Sequence, residues 1–269
     1  MHSSTWRTPL IVLICGTSIL LVSFGIRQNL GLYMEPISRE LNWGRETFAF
    51  AIALQSLVWG VSTPIFGVFA DRYGPGKILA LGGVCYVAGM YILAQTTTPI
   101  EANIGVGLFT GLALSMTGFP IVLSVIGRMV GPEKRSFYLG IASAGGSSGQ
   151  VFLVPMGQWF VNDYGWVGAV LILAVIAAII VPLSAALAGG NARAPDETAN
   201  QNFGDAMREA GGHLGFKLLT AGYFVCGFQT MFFGAHFPAY LIDLGQPAWL
   251  GATSLALIGG FNIIGCIAW

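Results

Sequence analysis

Charge is what this sequence has least of. Only 9% of its 269 residues are Asp, Glu, Lys or Arg, against about 25% in an ordinary soluble domain. A soluble chain of this length could bury a large core, but it could not solvate its surface with so few charges. Those present balance, twelve basic against twelve acidic, so nothing speaks for a nucleic-acid partner. Cysteine is equally thin: Cys15, Cys85, Cys226 and Cys266 stand singly inside apolar runs. Metal or disulfide chemistry needs convergent thiols, so these read as small packing residues, and neither a metal nor a cofactor is expected. Carboxylates are missing from the middle of every long apolar run, because Glu35, Glu101, Asp163 and Asp243 all sit near run ends. Proton coupling through a mid-membrane Asp or Glu is therefore not supported in this half of the protein.

What fills the sequence is hydrocarbon, 55% of the residues being apolar. Runs of about 20 such residues recur along almost the whole chain, the length a helix needs to cross a bilayer. Eight spans are expected: Pro9–Met34, Glu46–Ala70, Ile78–Thr97, Ala102–Gly127, Phe137–Phe160, Gly165–Ala188, Phe216–Tyr240 and Trp249–Trp269. The fold class is thus all-α, a polytopic helical bundle in a lipid bilayer. The first run follows only Arg7 and lacks a small-residue cleavage site, so it reads as a retained helix and not as a signal peptide. One long polar stretch, Gly189 to Gly215, divides six spans (1–188) from two (216–269). Phe203 to Ala210 reads there as a short interfacial helix and the rest of 189–215 as a linker.

Basic residues orient the chain. Arg27 lies within a span and only Arg39 and Arg45 fall on the second side; the others, including Arg72, Lys77, Arg128, Lys134 and Arg135, share the first. Lys and Arg favour the cytoplasmic face, so the amino terminus is expected to be cytoplasmic. Gly107 and Gly111, and likewise Gly145 and Gly149, are spaced for close helix approach, for tight packing or as a sliding surface.

Arg27 is the most informative single residue. A buried arginine costs roughly 2.5–3.5 kcal/mol on insertion scales and needs a cavity, a partner or a route to water. Either it snorkels or pairs with a neighbouring helix, or it is a fixed cation in a central cavity that takes an anionic small-molecule substrate. A guanidinium suits a carboxylate because its planar fork donates two parallel hydrogen bonds. Gln28, Gln55, Gln150 and Gln229 lie in spans one, two, five and seven. Each either bonds a neighbouring helix or lines the same cavity. His236 stands two residues before Pro238, at a point where the helix is weakened, which suits a cavity edge or a packing role.

The charged turn Gly67-Val68-Phe69-Ala70-Asp71-Arg72-Tyr73-Gly74-Pro75-Gly76-Lys77 joins spans two and three at one face of the bilayer. Its pattern, Gly67, Asp71, Arg72 and Gly74 at fixed spacing followed by Lys77, closely resembles the signature loop of major facilitator superfamily transporters. The family usually has two basic residues after the second glycine, and here Pro75 and Gly76 leave only Lys77. The segments Phe24-Gly25-Ile26-Arg27-Gln28, Leu41-Asn42-Trp43-Gly44-Arg45 and His236-Phe237-Pro238-Ala239-Tyr240-Leu241 look like bacterial members related to oxalate/formate antiporters and monocarboxylate transporters. The resemblance implies a secondary transporter in the bacterial inner membrane, working by alternating access on a small organic anion such as a monocarboxylate, with a coupling ion as a further partner. It also implies that Asp71 contacts a helix amino terminus of the opposite half when the cytoplasmic side is closed, with that helix expected in the missing portion.

The resemblance further implies two halves that are parallel repeats. A faint echo at an offset of 202 agrees, setting Gly25 and Pro36 against Gly227 and Pro238, and Arg27 against Gln229. Eight spans fall short of a twelve-span plan, so the chain is expected to be truncated in its eighth helix.

Two other readings compete. Gly146-Ser147-Ser148-Gly149 matches the Gly-x-Ser-Gly of rhomboid-like intramembrane serine proteases, with His236 two spans later, and needs a Ser–His hydrogen bond. A non-transporting membrane sensor on the same fold is the other.

Overall fold

A computed structural model describes residues 7–188 and 203–268; most of the expected linker, 189–202, lies outside them. The described chain is helical almost throughout. Helix α1 spans Pro9–Glu40, α2 Arg45–Tyr73 and α3 Pro75–Ala94. The fourth span, Pro99–Met129, is built in pieces: α4 (Pro99–Ala102), a π-helix over Asn103–Thr110, α5 (Gly111–Thr117) and α6 (Phe119–Met129). Helix α7 covers Pro132–Ala178 and α8 Ile180–Leu187. Then come α9 (Phe203–Gly212), α10 (Leu214–Asp243) and α11 (Ala248–Ala268).

Among the described residues, seven helical stretches are long and apolar enough to cross a membrane. One of them, Pro132–Leu187, is two spans joined at Gly165, whose φ of 69° and ψ of 174° break the helix. Packing shows that the chain reverses there. Gly145 lies against Thr17, Gly149 against Leu21 and Gly25, and Gly157 against Asn29, so this arm rises alongside α1 in the same direction. Trp166 then donates to Glu40 at the far end of α1, 2.7 Å. The chain returns until Ala188 meets Gly76 at the start of α3. The eight expected spans are therefore all present, and their neighbours place them in alternating directions. Below, the end of the bundle carrying Asp71 and Ala188 is the Asp71 end, and the other is the Glu35 end.

Several expected boundaries shift. Helix α1 continues past Met34 to Glu40 with Pro36 inside it. The ring clashes with a carbonyl one turn earlier but does not terminate a helix packed on both sides. The signature stretch is hardly a loop. Helix α2 runs to Tyr73, α3 starts at Pro75, and Gly74 alone lies between them with φ of 96°. That angle suits glycine, and Pro75 fits a first helical position because it has no N–H to leave unpaired.

Small residues set the interhelical distances, as lipid offers no hydrophobic reason for helices to associate. A Cβ on Gly149 would sit 2.7 Å from the Gly25 nitrogen, and one on Gly111 2.9 Å from the Gln55 carbonyl oxygen. Buried polar pairs knit the interior: Ser23 to Thr117 at 2.9 Å, and the Tyr86 hydroxyl to the Ser23 carbonyl at 2.7 Å. Helix α10 joins this body near the Glu35 end, where its buried residues Gly234, Ala235, Pro238 and Ala239 fall late in the helix. Its first two turns and the stretch through Thr230 are exposed.

Candidate functional site

A small cavity opens where α1, α2 and α10 meet, about midway along the bundle. Arg27 and Gln28 come from α1, Gln55 and Ile52 from α2, and Met231 and Gly234 from α10. Gly31 makes the junction possible, because it meets the Gly234 carbonyl where any side chain would collide. The space holds no more than about one water molecule. It is too tight in this conformation for an organic acid.

Arg27 is only 8% exposed. Its guanidinium lies 5.0 Å from the Trp59 ring centre, a cation–π contact, and Nη2 touches the Met231 sulfur. Phe24 props Trp59 in an edge-on contact, ring centres 5.8 Å apart. Neither a π-face nor a thioether neutralises a full charge. Among the described residues no carboxylate pairs with Arg27, and its Nε is buried without a hydrogen-bond partner. A buried cation in that condition is poised for an anion.

Gln55 is fully buried and donates from its amide nitrogen to Thr110 Oγ1 at 2.6 Å, while Oε1 has no partner. Gln28 is buried against Gly234. The remaining expected residues do not border this cavity. Gln150 packs beneath Gly259 of α11. Gln229 faces outward on the exposed part of α10, so the offset that pairs it with Arg27 does not bring the two together. His236 is exposed, its ring 5.7 Å from that of Phe232. Met231 and Trp59 were not expected at the site. An aromatic and a thioether inside apolar runs carry no local signal, since both meet Arg27 only through packing between helices.

The signature residues gather at the Asp71 end. Asp71 accepts from Arg128 Nη1 at 3.4 Å, joining the end of α2 to the end of α6. Arg72 lies over the Tyr73 ring at 5.5 Å, Lys77 is exposed in the first turn of α3, and Gly67 has open space around it. At the opposite end Arg45 binds Glu35 and Asp243, tying α1 and α2 to α10.

The protease reading finds no geometry. Ser148 donates to the Ala144 carbonyl of its own helix, 2.9 Å, and among the described residues no hydrogen bond joins a serine to His236.

A family model of the Major Facilitator Superfamily matches residues 16–269. The chain belongs to the major facilitator superfamily. It is similar to monocarboxylate transporter 11 of Mus musculus, 26% identical over 76% of this chain and 47% of that protein. It is also similar to monocarboxylate transporter 13 of Bos taurus, 24% identical over 91% of this chain and 57% of that protein. Among solved structures, a bacterial homologue of the human lysosomal transporter Spinster, in an inward-facing and unoccupied conformation, superposes with a TM-score of 0.71. Its identity is 17%, over 96% of this chain and 60% of that one; the likeness is one of fold. The chain thus spans about half the length of these monocarboxylate transporters. It is a member of the major facilitator superfamily and an integral membrane protein.

Proposed function

We propose that this major facilitator protein is a secondary transporter of a small organic anion, a monocarboxylate in the first instance, moved by alternating access without covalent chemistry. The observation that carries the proposal is Arg27, buried between α1, α2 and α10 with an unpaired Nε and no carboxylate beside it. Arg27 is the anion-binding group, Gln28 and Gln55 complete the polar lining, and Met231 occupies the guanidinium until substrate displaces it. The similarity to monocarboxylate transporters 11 and 13 supports the substrate class.

Alternating access requires one end of the site to close while the other opens. Arg45, held to Asp243, is the latch of the Glu35 end, and Asp71 with Arg128 steadies the other. The excess of Lys and Arg at the Asp71 end supports placing that end and the amino terminus in the cytoplasm of a bacterial cell. Residues 1–188 act as one half of the rocking body and 216–269 as the start of the other, with 189–215 as the cytoplasmic connection. None of the residues lining the cavity is a carboxylate, so proton coupling through a buried Asp or Glu at this site finds no support.

Counterflow in proteoliposomes against a panel of mono- and dicarboxylates tests the reading. Accelerated exchange of at least one small carboxylate is expected. Exchange confined to neutral or cationic solutes contradicts it.

A further inference from the structure

We infer that the cavity favours an anion carrying a hydrogen-bond donor beside its carboxylate, a 2-hydroxy acid over the matching 2-oxo acid, and that Thr110 sets this preference by fixing the Gln55 amide. The inference rests on reading Arg27 as the anion site.

The Thr110 hydroxyl donates to the Val106 carbonyl one turn earlier in its own helix. A hydroxyl has a single proton to give, so toward Gln55 Thr110 Oγ1 can only accept. The Gln55 group facing it at 2.6 Å must therefore be the amide nitrogen. The hydrogen-bond network thus assigns the orientation of an amide whose two ends look alike by shape. What Gln55 retains for a ligand is Oε1, buried and without a partner.

The two unpaired atoms at this site are thus of opposite kind. Arg27 Nε is a donor, and Gln55 Oε1 is an acceptor. A carboxylate satisfies the first. The second calls for an O–H or N–H on the adjacent carbon. A 2-oxo group would set a carbonyl oxygen against the amide oxygen, and an unsubstituted carbon would leave the acceptor unpaired, which is unfavourable in a buried site. Ile52 and Met231 supply an apolar wall for a short alkyl body.

The fourth span is shaped to hold this arrangement. Thr110 closes the π-helix over Asn103–Thr110, an irregularity that often marks functional sites. Gly111 follows, and its missing side chain lets the span lie against the Gln55 backbone. Thr110 is a positioning residue, acting on the ligand only through Gln55.

The test is competition for flux in proteoliposomes by lactate, pyruvate and propionate, read as half-saturation concentrations. The unaltered protein is expected to prefer lactate to pyruvate and to propionate by about tenfold, the value of one net hydrogen bond. Thr110→Val frees the amide to turn and brings the lactate-to-pyruvate ratio to about one. Thr110→Ser restores it, a rescue that a packing role for the threonine methyl would not produce. Gln55→Met, which removes the acceptor directly, also takes the ratio to about one and stands in if Thr110→Val does not fold. Equal affinities in the unaltered protein, or a ratio that survives both Thr110→Val and Gln55→Met, overturns the inference while Arg27 remains the anion site. If none of the three acids competes and Arg27→Gln changes nothing, the Arg27 reading fails and takes this one with it.

Discussion

Arg45 of α2 grips Asp243 at the end of α10 with both arms of its guanidinium, Nη1 to Oδ2 at 2.6 Å and Nη2 to Oδ1 at 2.8 Å. It also meets Glu35 of α1 at 2.7 Å. The side chains of Arg45 and Asp243 are 39% and 52% exposed, so water screens the attraction and the pair is weak. A latch needs no more than that, because it must release. Arg45→Gln is expected to lower the closed population at the Glu35 end by up to about fivefold. Spin labels at Leu41 and Gln246 would report this as a broader and longer distance distribution, and an unchanged distribution would remove Arg45 from the gate.

Met231 is expected to compete with substrate for Arg27. Its sulfur sits on one arm of the guanidinium, at Nη2, so an anion that takes that arm as well as Nε must first displace it. Met231→Ala lifts that obstacle and raises the fraction of the protein that is competent to bind, tightening apparent affinity for a carboxylate a few-fold. Isothermal titration in detergent checks this, and weaker binding in the variant would assign Met231 to holding the site together.

The meeting of Gly149 and Gly25 predicts a stability effect. A Cβ on Gly149 would lie 2.7 Å from the Gly25 nitrogen, backbone that cannot rotate away. Gly149→Val should therefore destabilise by about 1–3 kcal/mol, the usual cost of overpacking. Gly60→Ala on α2, with nothing within 4 Å, should fall within about 0.5 kcal/mol of the parent. Thermal unfolding in detergent separates the two, and equal midpoints would mean that α1 and α7 do not pack as described.

Most of the architecture was legible because lipid makes simple demands. Apolar runs long enough to span announced all eight crossings, and Gly165 was already the first residue of the sixth. Boundaries were less legible, since tertiary packing carried α1 through Pro36 to Glu40 and α2 through Asp71 to Tyr73. Glycine spacing pointed to close approach, and Gly107, Gly111, Gly145 and Gly149 each meet a neighbouring helix. The site was only half visible. A charge in an apolar run stands out, and so do the amides Gln28 and Gln55 near it. Which amides share its cavity depends on helix rotation and splay, which periodicity does not supply, and so Gln150, Gln229 and His236 fall elsewhere. Met231, Trp59 and Thr110 gave no signal at all, because their roles exist only between helices.

Asp71 and Arg128 support a prediction at the other end. Their contact at 3.4 Å is long and partly exposed, so Arg128→Ala should change thermal stability by less than about 1 kcal/mol. Its effect is expected on turnover, through the steadiness of the α2 and α6 ends. A loss of stability with unaltered turnover would make the pair a structural tie.

The most direct test of the whole account is uptake of a small carboxylate by Arg27→Gln, measured beside membrane insertion and thermal stability. Glutamine keeps a polar group of similar reach but removes the charge and the fork that hold a carboxylate. Uptake is predicted to fall by about a hundredfold while the variant inserts normally, with Arg27→Lys intermediate. Uptake kinetics in Arg27→Gln equal to those of the unaltered protein would contradict the account, because Arg27 would then not be the group that receives the substrate.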